Sequence, residues 1–117
     1  MSPLPAWLHA VAFPTTYHIG NGGTSVSNTV TLNNLPGGGF SGSYSYAGGQ
    51  GTLTGISVAT YPGQSADLVV AVYWSEGVYD GIELLRIRER PGSVPQVVEG
   101  CYTQNEPGGA WVGDERS

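Results

Sequence analysis

Tyrosine and tryptophan side chains recur at or near the ends of apolar, strand-like runs in this chain. They are Tyr44, Tyr46, Tyr73, Trp74, Tyr79 and Tyr102. Each ring offers a flat apolar face together with a hydrogen-bonding edge. A pocket lined by a few such rings and by sparse polar groups is the usual site for a small organic molecule. The pattern therefore indicates a ligand site, although rings at strand ends also occur as ordinary packing.

Acidic side chains are the second set of candidates for chemistry. Asp67, Asp80 and Glu83 lie within or beside the apolar runs. Two carboxyl groups that face each other across a barrel mouth can transfer protons when burial raises the pKa of one of them. Carboxylates at strand ends are more often solvated charges, and the spacing of these three does not show that any two of them meet.

Signatures of metal binding and of nucleophilic catalysis are missing. The two histidines, His9 and His18, do not form pairs with each other or with cysteine at the short spacings of metal sites. Cys101 is the one cysteine, so no internal disulfide forms. A thiol nucleophile needs a nearby histidine, and a buried cysteine that packs as a small apolar residue is the more usual case. Ser43 lacks the glycine pattern of a nucleophile elbow. We therefore predict no catalytic residue, no metal and no cofactor.

The charge composition limits the possible partners. The formal net charge is −5, and the chain contains no lysine. No basic patch is available to neutralise phosphates, which argues against a nucleic acid partner. Arg86, Arg88 and Arg90 alternate, so on a strand they share one face, either as a solvated edge or as an anion site. Residues 1–13 are partly apolar but lack a basic start and contain prolines. We expect neither a signal peptide nor a membrane span there, and a cytoplasmic protein.

Positioning these side chains requires a sheet, and the most apolar stretch of the chain, Asp67–Trp74, indicates how it is built. Seven apolar or aromatic residues follow Asp67, with valine the most frequent, which predicts a strand rather than a helix. Alternate side chains form two sets: Leu68, Val70, Val72 and Trp74, and Val69, Ala71 and Tyr73. Both sets are apolar, so we expect a core on one face and a second layer, a loop or a partner subunit on the other.

The chain begins with a lead-in at residues 1–14. A short helix is predicted there at Ala6–Ala12, with Pro5 at its start and Pro14 ending it. Eight candidate strands follow. The strands are Thr15–Ile19, Ser25–Leu32, Phe40–Tyr46, Thr52–Thr60, Leu68–Trp74, Ile82–Arg88, Val94–Thr103 and a short piece from Trp111. Turns rich in glycine, proline and asparagine separate them. A meander of this kind removes its exposed edges by closing. We predict one all-β domain, an antiparallel up-and-down barrel at residues 15–117, in preference to an open sandwich. The lead-in either plugs one end or lies as a loose arm.

Residues from Tyr17 to Asp114 resemble the avidin and streptavidin family of biotin-binding barrels. The resemblance rests on the order of Phe40-Ser41-Gly42-Ser43-Tyr44, Leu53-Thr54-Gly55, the strand ending at Trp74, Tyr79-Asp80-Gly81 and Ala110-Trp111. It implies a barrel with a pocket at one end, where Tyr44 and Trp74 bind the ligand, and a subunit-bridging role for Trp111. Tyr46 stands where the family has a serine, and Tyr79 and Cys101 stand where it has tryptophans. The polar partners expected near Tyr17 have no counterpart. The resemblance therefore implies the barrel and its pocket rather than biotin as the ligand.

These observations lead to three hypotheses about function. The first is a calycin-type barrel, soluble and homo-oligomeric, that binds a small, largely apolar organic ligand without catalysis. Its predicted ligand-binding residues are Tyr44, Tyr46, Trp74 and Tyr79, with Asp80 as a polar anchor. The second is an enzyme whose barrel is a chamber for cyclisation or isomerisation, as in bacterial secondary metabolism. The third is a glycan-binding or protein-interaction module. A closed apolar pocket favours the first, two facing polar groups with a perturbed carboxylate favour the second, and a filled barrel with surface rings favours the third.

Overall fold

The computed structural model describes residues 4–19, 24–63, 66–106 and 109–116, with the backbone alone for residues 19, 106, 109–112 and 116. All regular structure in these ranges is β. The strands are β1 (Val11–Ile19), β2 (Thr24–Asn34), β3 (Phe40–Tyr46), β4 (Gly49–Thr60), β5 (Leu68–Glu76), β6 (Tyr79–Arg88), β7 (Gln96–Glu106) and β8 (Gly109–Arg116). Each pairs antiparallel with the next, and β8 pairs with β1, which closes an eight-stranded up-and-down barrel. The predicted fold is confirmed.

Alternate residues of each strand point into the barrel, because successive side chains of a strand face opposite sides of the sheet. On β5, Val70 and Val72 are fully buried in the core, whereas Tyr73 is 37% exposed on the outside. The apolar stretch that predicted β5 therefore has its inner face in the core. The expected cover over the outer face is incomplete within this chain, since Tyr73 and its cross-strand partner Ile82 both reach solvent.

The N-terminal segment plugs the end of the barrel that holds the apolar core. Leu4 and Leu8 are buried in one cluster with core residues of the strands. The Leu4 N–H donates to Asn34 Oδ1 at 3.1 Å, and Asn34 Nδ2 donates to the Leu4 carbonyl at 3.0 Å. The Asn34 N–H in turn donates to His9 Nδ1 at 2.9 Å. These contacts tie the segment to the end of β2, so it is a plug and not a loose arm.

The prediction of a helix at Ala6–Ala12 is wrong. The Pro5 carbonyl accepts hydrogen bonds from the Leu8 and His9 N–H groups, which makes a single turn. Ala10 then adopts a φ of 60°, outside the right-handed helical region, and its N–H donates to the Leu32 carbonyl at 2.7 Å. β1 begins at Val11 and continues through Pro14, which lies where β1 pairs with β2 alone. Proline is tolerated there because no second strand needs its missing N–H.

Two of the alternating arginines form an ion cluster with a buried carboxylate of the same chain. Asp67 is 1% exposed and accepts hydrogen bonds from Arg86 Nε at 2.7 Å and from Arg88 Nε and an Arg88 terminal nitrogen at 2.9 Å. The Arg86 guanidinium also lies 3.8 Å from the centre of the Tyr61 ring. The two arginines thus bind a carboxylate of the same chain and fix the β4–β5 connection against β6. The third, Arg90, donates to the Val94 carbonyl at 2.9 Å.

The ion cluster predicts a pH-dependent loss of stability on replacing Asp67 with asparagine. Hydrogen bonds from Arg88 and Arg86 lower the pKa of Asp67 from 3.8 to about 2. A lowered pKa stabilises the fold above the unfolded-state value, and this contribution is lost as the pH falls through about 2. Asp67→Asn should therefore lower the free energy of unfolding by about 2 kcal/mol at pH 6 and by far less near pH 2, measured by urea unfolding.

Glu99→Gln is the matched control for this experiment. Glu99 contacts Arg86 at 3.4 Å, but its side chain is 58% exposed. An exposed ion pair of this kind contributes less than about 1 kcal/mol. Equal losses in the two variants, or an Asp67→Asn loss that does not shrink in acid, would contradict the assigned role of Asp67.

Candidate functional site

The end of the barrel opposite the N-terminal plug holds a cavity of about 380 Å³. Its lining falls into three groups. The wall consists of the aromatic rings of Tyr17, Tyr44, Tyr46, Trp74 and Tyr102; the floor of Asn28, Glu83 and Glu115; and the mouth of Val26, Glu76, Tyr79 and Gln104. Sites that hold small organic molecules have volumes of roughly 300–1,000 Å³. The cavity is therefore large enough for a small organic ligand.

Contacts between the rings fix the geometry of the wall. Tyr17 packs edge-on against Tyr46, with ring centres 6.2 Å apart, and against Tyr102 at 5.7 Å. Tyr44 and Tyr46 are stacked with their centres 6.3 Å apart. Trp74 Nε1 donates to the Thr103 carbonyl at 3.0 Å, which holds the indole against the wall. These are the offset and edge-to-face arrangements that aromatic pairs favour, so the wall is preorganised.

Glycines on adjacent strands make room for three of the wall rings. The cross-strand pairs are Tyr44 with Gly51, Trp74 with Gly81, and Tyr102 with Gly113. A Cβ atom on Gly81 would lie 2.8 Å from Trp74 Nε1, and one on Gly51 or Gly113 would overlap the paired tyrosine ring. The rings lie over these glycines and along the barrel wall, and the lumen stays open.

Glu76 at the mouth accepts hydrogen bonds from two wall tyrosines. The Tyr44 hydroxyl donates to Glu76 Oε1 at 2.6 Å, and the Tyr46 hydroxyl donates to Oε2. The hydrogen bond to Glu76 raises the pKa of Tyr46 to about 12, while burial and then the same carboxylate raise the pKa of Tyr44. Both phenols therefore stay protonated at neutral pH, and Glu76 is held in place at the cavity entrance.

The floor contains two buried carboxyl groups on strands that are not neighbours. Glu83 on β6 and Glu115 on β8 are 8% and 2% exposed, and they hydrogen-bond to each other across β7. The Thr15 hydroxyl donates to Glu115 Oε2 at 3.4 Å. Burial raises the pKa of both carboxyl groups. The hydrogen bond that protonated Glu115 donates to Glu83 raises the pKa of Glu115 further and partly offsets the rise for Glu83. The pair therefore retains a proton at neutral pH and can both donate and accept one.

Asn28 is the third floor residue and has an unpartnered acceptor. It is 7% exposed, and its Oδ1 atom makes no hydrogen bond within the described part of the chain. An unsatisfied buried amide oxygen costs about 1–3 kcal/mol. Such groups are rare in folded proteins and call for an explanation such as a missing partner. A ligand that donates a hydrogen bond would supply that partner at the bottom of the cavity.

Four of the five residues predicted as ligand-binding from the sequence lie around this cavity. Tyr44, Tyr46 and Trp74 belong to the wall, and Tyr79 is at the mouth and 41% exposed. The fifth, Asp80, lies outside, where it accepts hydrogen bonds from the Tyr73 hydroxyl at 2.5 Å and from Asn105 Nδ2 at 3.0 Å. Asp80 is therefore not brought to the cavity, whose buried polar side chains are instead those of the floor.

Several cavity residues were missed or misjudged from the sequence. Tyr17, Asn28, Glu76 and Glu115 were not among the predicted site residues, and Glu83 was expected to be a solvated charge.

Cys101 was expected to be buried and is instead exposed on the outer face of β7. Neither histidine has its Nδ1 atom on Cys101: His9 Nδ1 accepts a hydrogen bond from the Asn34 N–H, and His18 Nδ1 is hydrogen-bonded to the Ser25 hydroxyl. The side chain of Trp111 lies outside the described residues.

No family model, no curated protein and no solved structure matches this chain. The resemblance to avidin and streptavidin thus stays a comparison of motifs. The described residues include no cluster of three or more His, Cys, Asp or Glu side chains placed to hold a metal ion. Nor do they include a helix long and apolar enough to cross a membrane.

The floor pair predicts that Glu115→Gln changes the pH dependence of stability. A raised carboxyl pKa stabilises the fold below the ordinary value of 4.5, and this contribution is lost as the pH rises through the raised pKa. The wild-type protein should lose stability between pH 5 and pH 9. Glu115→Gln lacks one titrating group. Its free energy of unfolding should therefore decrease less than that of the wild type over this pH interval, by at least about 1 kcal/mol, measured by urea unfolding at each pH.

Glu89→Gln serves as the control, since Glu89 is exposed beyond the end of β6. Its stability should follow the wild-type curve. A Glu115→Gln curve parallel to the wild-type one would show that the buried pair does not carry the shared proton.

Proposed function

We propose that this protein binds a small organic molecule non-covalently in the cavity at the open end of its barrel. One observation carries the proposal: an aromatic-walled cavity of about 380 Å³ ends in a buried, unpartnered acceptor, Asn28 Oδ1. Ligand surface buried against the rings would contribute about 25 cal/mol per Å² of apolar area. The floor would orient the ligand, because a misplaced ligand leaves buried polar atoms unpaired.

The proposal keeps the aromatic residues predicted from the sequence and changes the polar ones. Tyr44, Tyr46, Trp74 and Tyr79 would contact the ligand, with Asn28, Glu83 and Glu115 in place of Asp80. The closed barrel and the position of Tyr44 and Trp74 at its cavity support an avidin-like, calycin-type mode of binding. A glycan-binding or interaction module has less support, since it would have a filled barrel.

Assembly into homo-oligomers belongs to the same proposal and is supported by the outer face of β5 and β6. Tyr73, Ile82 and Leu84 are 37%, 42% and 42% exposed there, and Tyr73 pairs directly with Ile82. A second copy of the chain would cover these side chains, and Leu84→Glu should then shift the molecular mass measured by light scattering toward the monomer. A cytoplasmic location and the lack of a nucleic acid or membrane partner stay predictions.

An enzyme that uses acid–base chemistry is the second candidate, and the Glu83–Glu115 pair favours it. A carboxyl pair that holds one proton can remove a proton from one atom of a bound substrate and return one at another. That is the requirement for an isomerisation or cyclisation in a water-poor chamber. The same pair also suits simple binding, so the two candidates differ in what happens to the bound molecule.

Binding in the cavity predicts that Trp74→Ala and Val26→Trp both weaken the uptake of a neutral apolar fluorophore, N-phenyl-1-naphthylamine. The first removes a wall ring that supplies contact area, and the second places a large ring at the half-buried mouth position. Each should lower the affinity at least about tenfold, equivalent to about 1.4 kcal/mol, as measured by fluorescence titration.

The adjacent residues are matched controls, because they face outward on the same strands. Tyr73→Ala and Ser27→Trp alter exposed positions of β5 and β2 and should leave the affinity unchanged. Uptake that survives both cavity variants, or that the outward-facing variants reduce equally, would place the binding site elsewhere and overturn the proposal.

Native mass spectrometry of protein purified from its source separates binding from catalysis. A binding protein should retain the same molecule in the wild type and in Glu115→Gln. An enzyme should retain product in the wild type and accumulate its substrate in the variant, seen as a different mass or, for isomers, a different chromatographic retention time. Identical retained molecules, together with no conversion on incubation with wild-type protein, would exclude the second candidate.

A further inference from the structure

We infer that the cavity selects cationic ligands, specifically organic amines that are protonated at neutral pH. The inference rests on the proposed binding function and adds the chemical class of the ligand. Charge, ring faces and hydrogen-bonding capacity at the cavity each support it.

Any charge on the cavity lining is negative, even with one proton held by the Glu83–Glu115 pair. Glu76, Glu83 and Glu115 are all among its residues, and no arginine, lysine or histidine is among the described lining residues. The arginines that the structure places are occupied elsewhere: Arg86 and Arg88 bind Asp67, and Arg90 bonds Val94. An anionic ligand would therefore meet like charge at low local dielectric, whereas a cation would meet compensating charge.

The aromatic wall is suited to the same ligand. The faces of tyrosine and tryptophan rings attract a cation within about 6 Å of the ring centre, and several rings together make a cage for ammonium groups. Tyr44, Trp74 and Tyr102 are each less than a tenth exposed and border one cavity. A bound cation would thus be shielded from water, where its attraction to the rings is strongest.

The hydrogen-bonding capacity of the floor calls for a donor. Asn28 Oδ1 is an acceptor in a residue more than nine-tenths buried, and it is unpartnered within the described part of the chain. The Thr15 hydroxyl, a nearby donor, is already directed to Glu115. A primary ammonium group has three N–H donors and no acceptor. It can therefore bond Asn28 and the carboxyl pair together, which a carboxylate ligand cannot do.

Three probes of nearly the same shape test the inference: phenethylammonium, neutral 2-phenylethanol and anionic phenylacetate. Isothermal titration calorimetry at pH 7 and low salt should show at least tenfold tighter binding of phenethylammonium than of 2-phenylethanol, with phenylacetate the weakest. Glu76→Gln should weaken phenethylammonium binding about three- to tenfold and leave 2-phenylethanol binding unchanged. Glu89→Gln makes the same change in net charge at an exposed position outside the cavity and should alter neither affinity.

Three outcomes would overturn the selection of cations. They are equal or tighter binding of 2-phenylethanol or phenylacetate, no measurable binding of phenethylammonium, and equal losses in Glu76→Gln and Glu89→Gln. The proposed binding function is judged separately, because N-phenyl-1-naphthylamine is uncharged. Uptake of that fluorophore, blocked by Val26→Trp, would leave the function in place while the cation selection fails. Failure of the fluorophore as well would remove both.

Discussion

Aromatic rings packed over glycine on the neighbouring strand determine which half of this barrel is hollow. An eight-stranded barrel is just wide enough for its side chains to fill the interior. At one end, leucine, valine and phenylalanine side chains together with the N-terminal plug do fill it. At the other end, Tyr44, Trp74 and Tyr102 lie over Gly51, Gly81 and Gly113. A side chain at Gly51 or Gly113 would overlap the paired ring, and one at Gly81 would collide with the Thr103 carbonyl as well as with Trp74. The cavity therefore depends on residues that contribute no contact of their own to a ligand.

The strands were predictable because most of their signal is local. The alternation around β5 and the short turns indicated a closed meander, and the structure agrees. The N-terminal segment was wrongly predicted as a helix because proline followed by apolar spacing is typical of one. Its conformation is decided by Asn34, which is distant in the sequence and hydrogen-bonds Leu4. Glycine was interpreted as a turn residue, which overlooks those strand glycines that accommodate rings.

The site was predictable only in part, for two different reasons. Asp80 follows Tyr79 directly on β6, so alternation alone places the two side chains on opposite faces; Glu83, at the same parity as Tyr79, was the better candidate. The meeting of Glu83 with Glu115 was beyond local pattern. The two residues are on strands separated by β7, and their register depends on a bulge where Val98 has no partner on β6. Curvature and bulges of this kind are not encoded in strand periodicity.

Two buried acidic environments in one small barrel show how local charge determines the role of a carboxyl group. Asp67 is buried beside two guanidinium groups, which lower its pKa and make it an ionised structural clamp. Glu83 and Glu115 are buried with no described cation nearby, so their pKa values rise and burial disfavours their ionised forms. The counter-ions of Asp67 belong to the same chain. The Glu83–Glu115 pair borders a cavity whose size and aromatic wall would admit a positively charged molecule. A bound cation would compensate the charge of the floor pair as Arg86 and Arg88 compensate that of Asp67, which is the electrostatic argument for the proposed selection of cations.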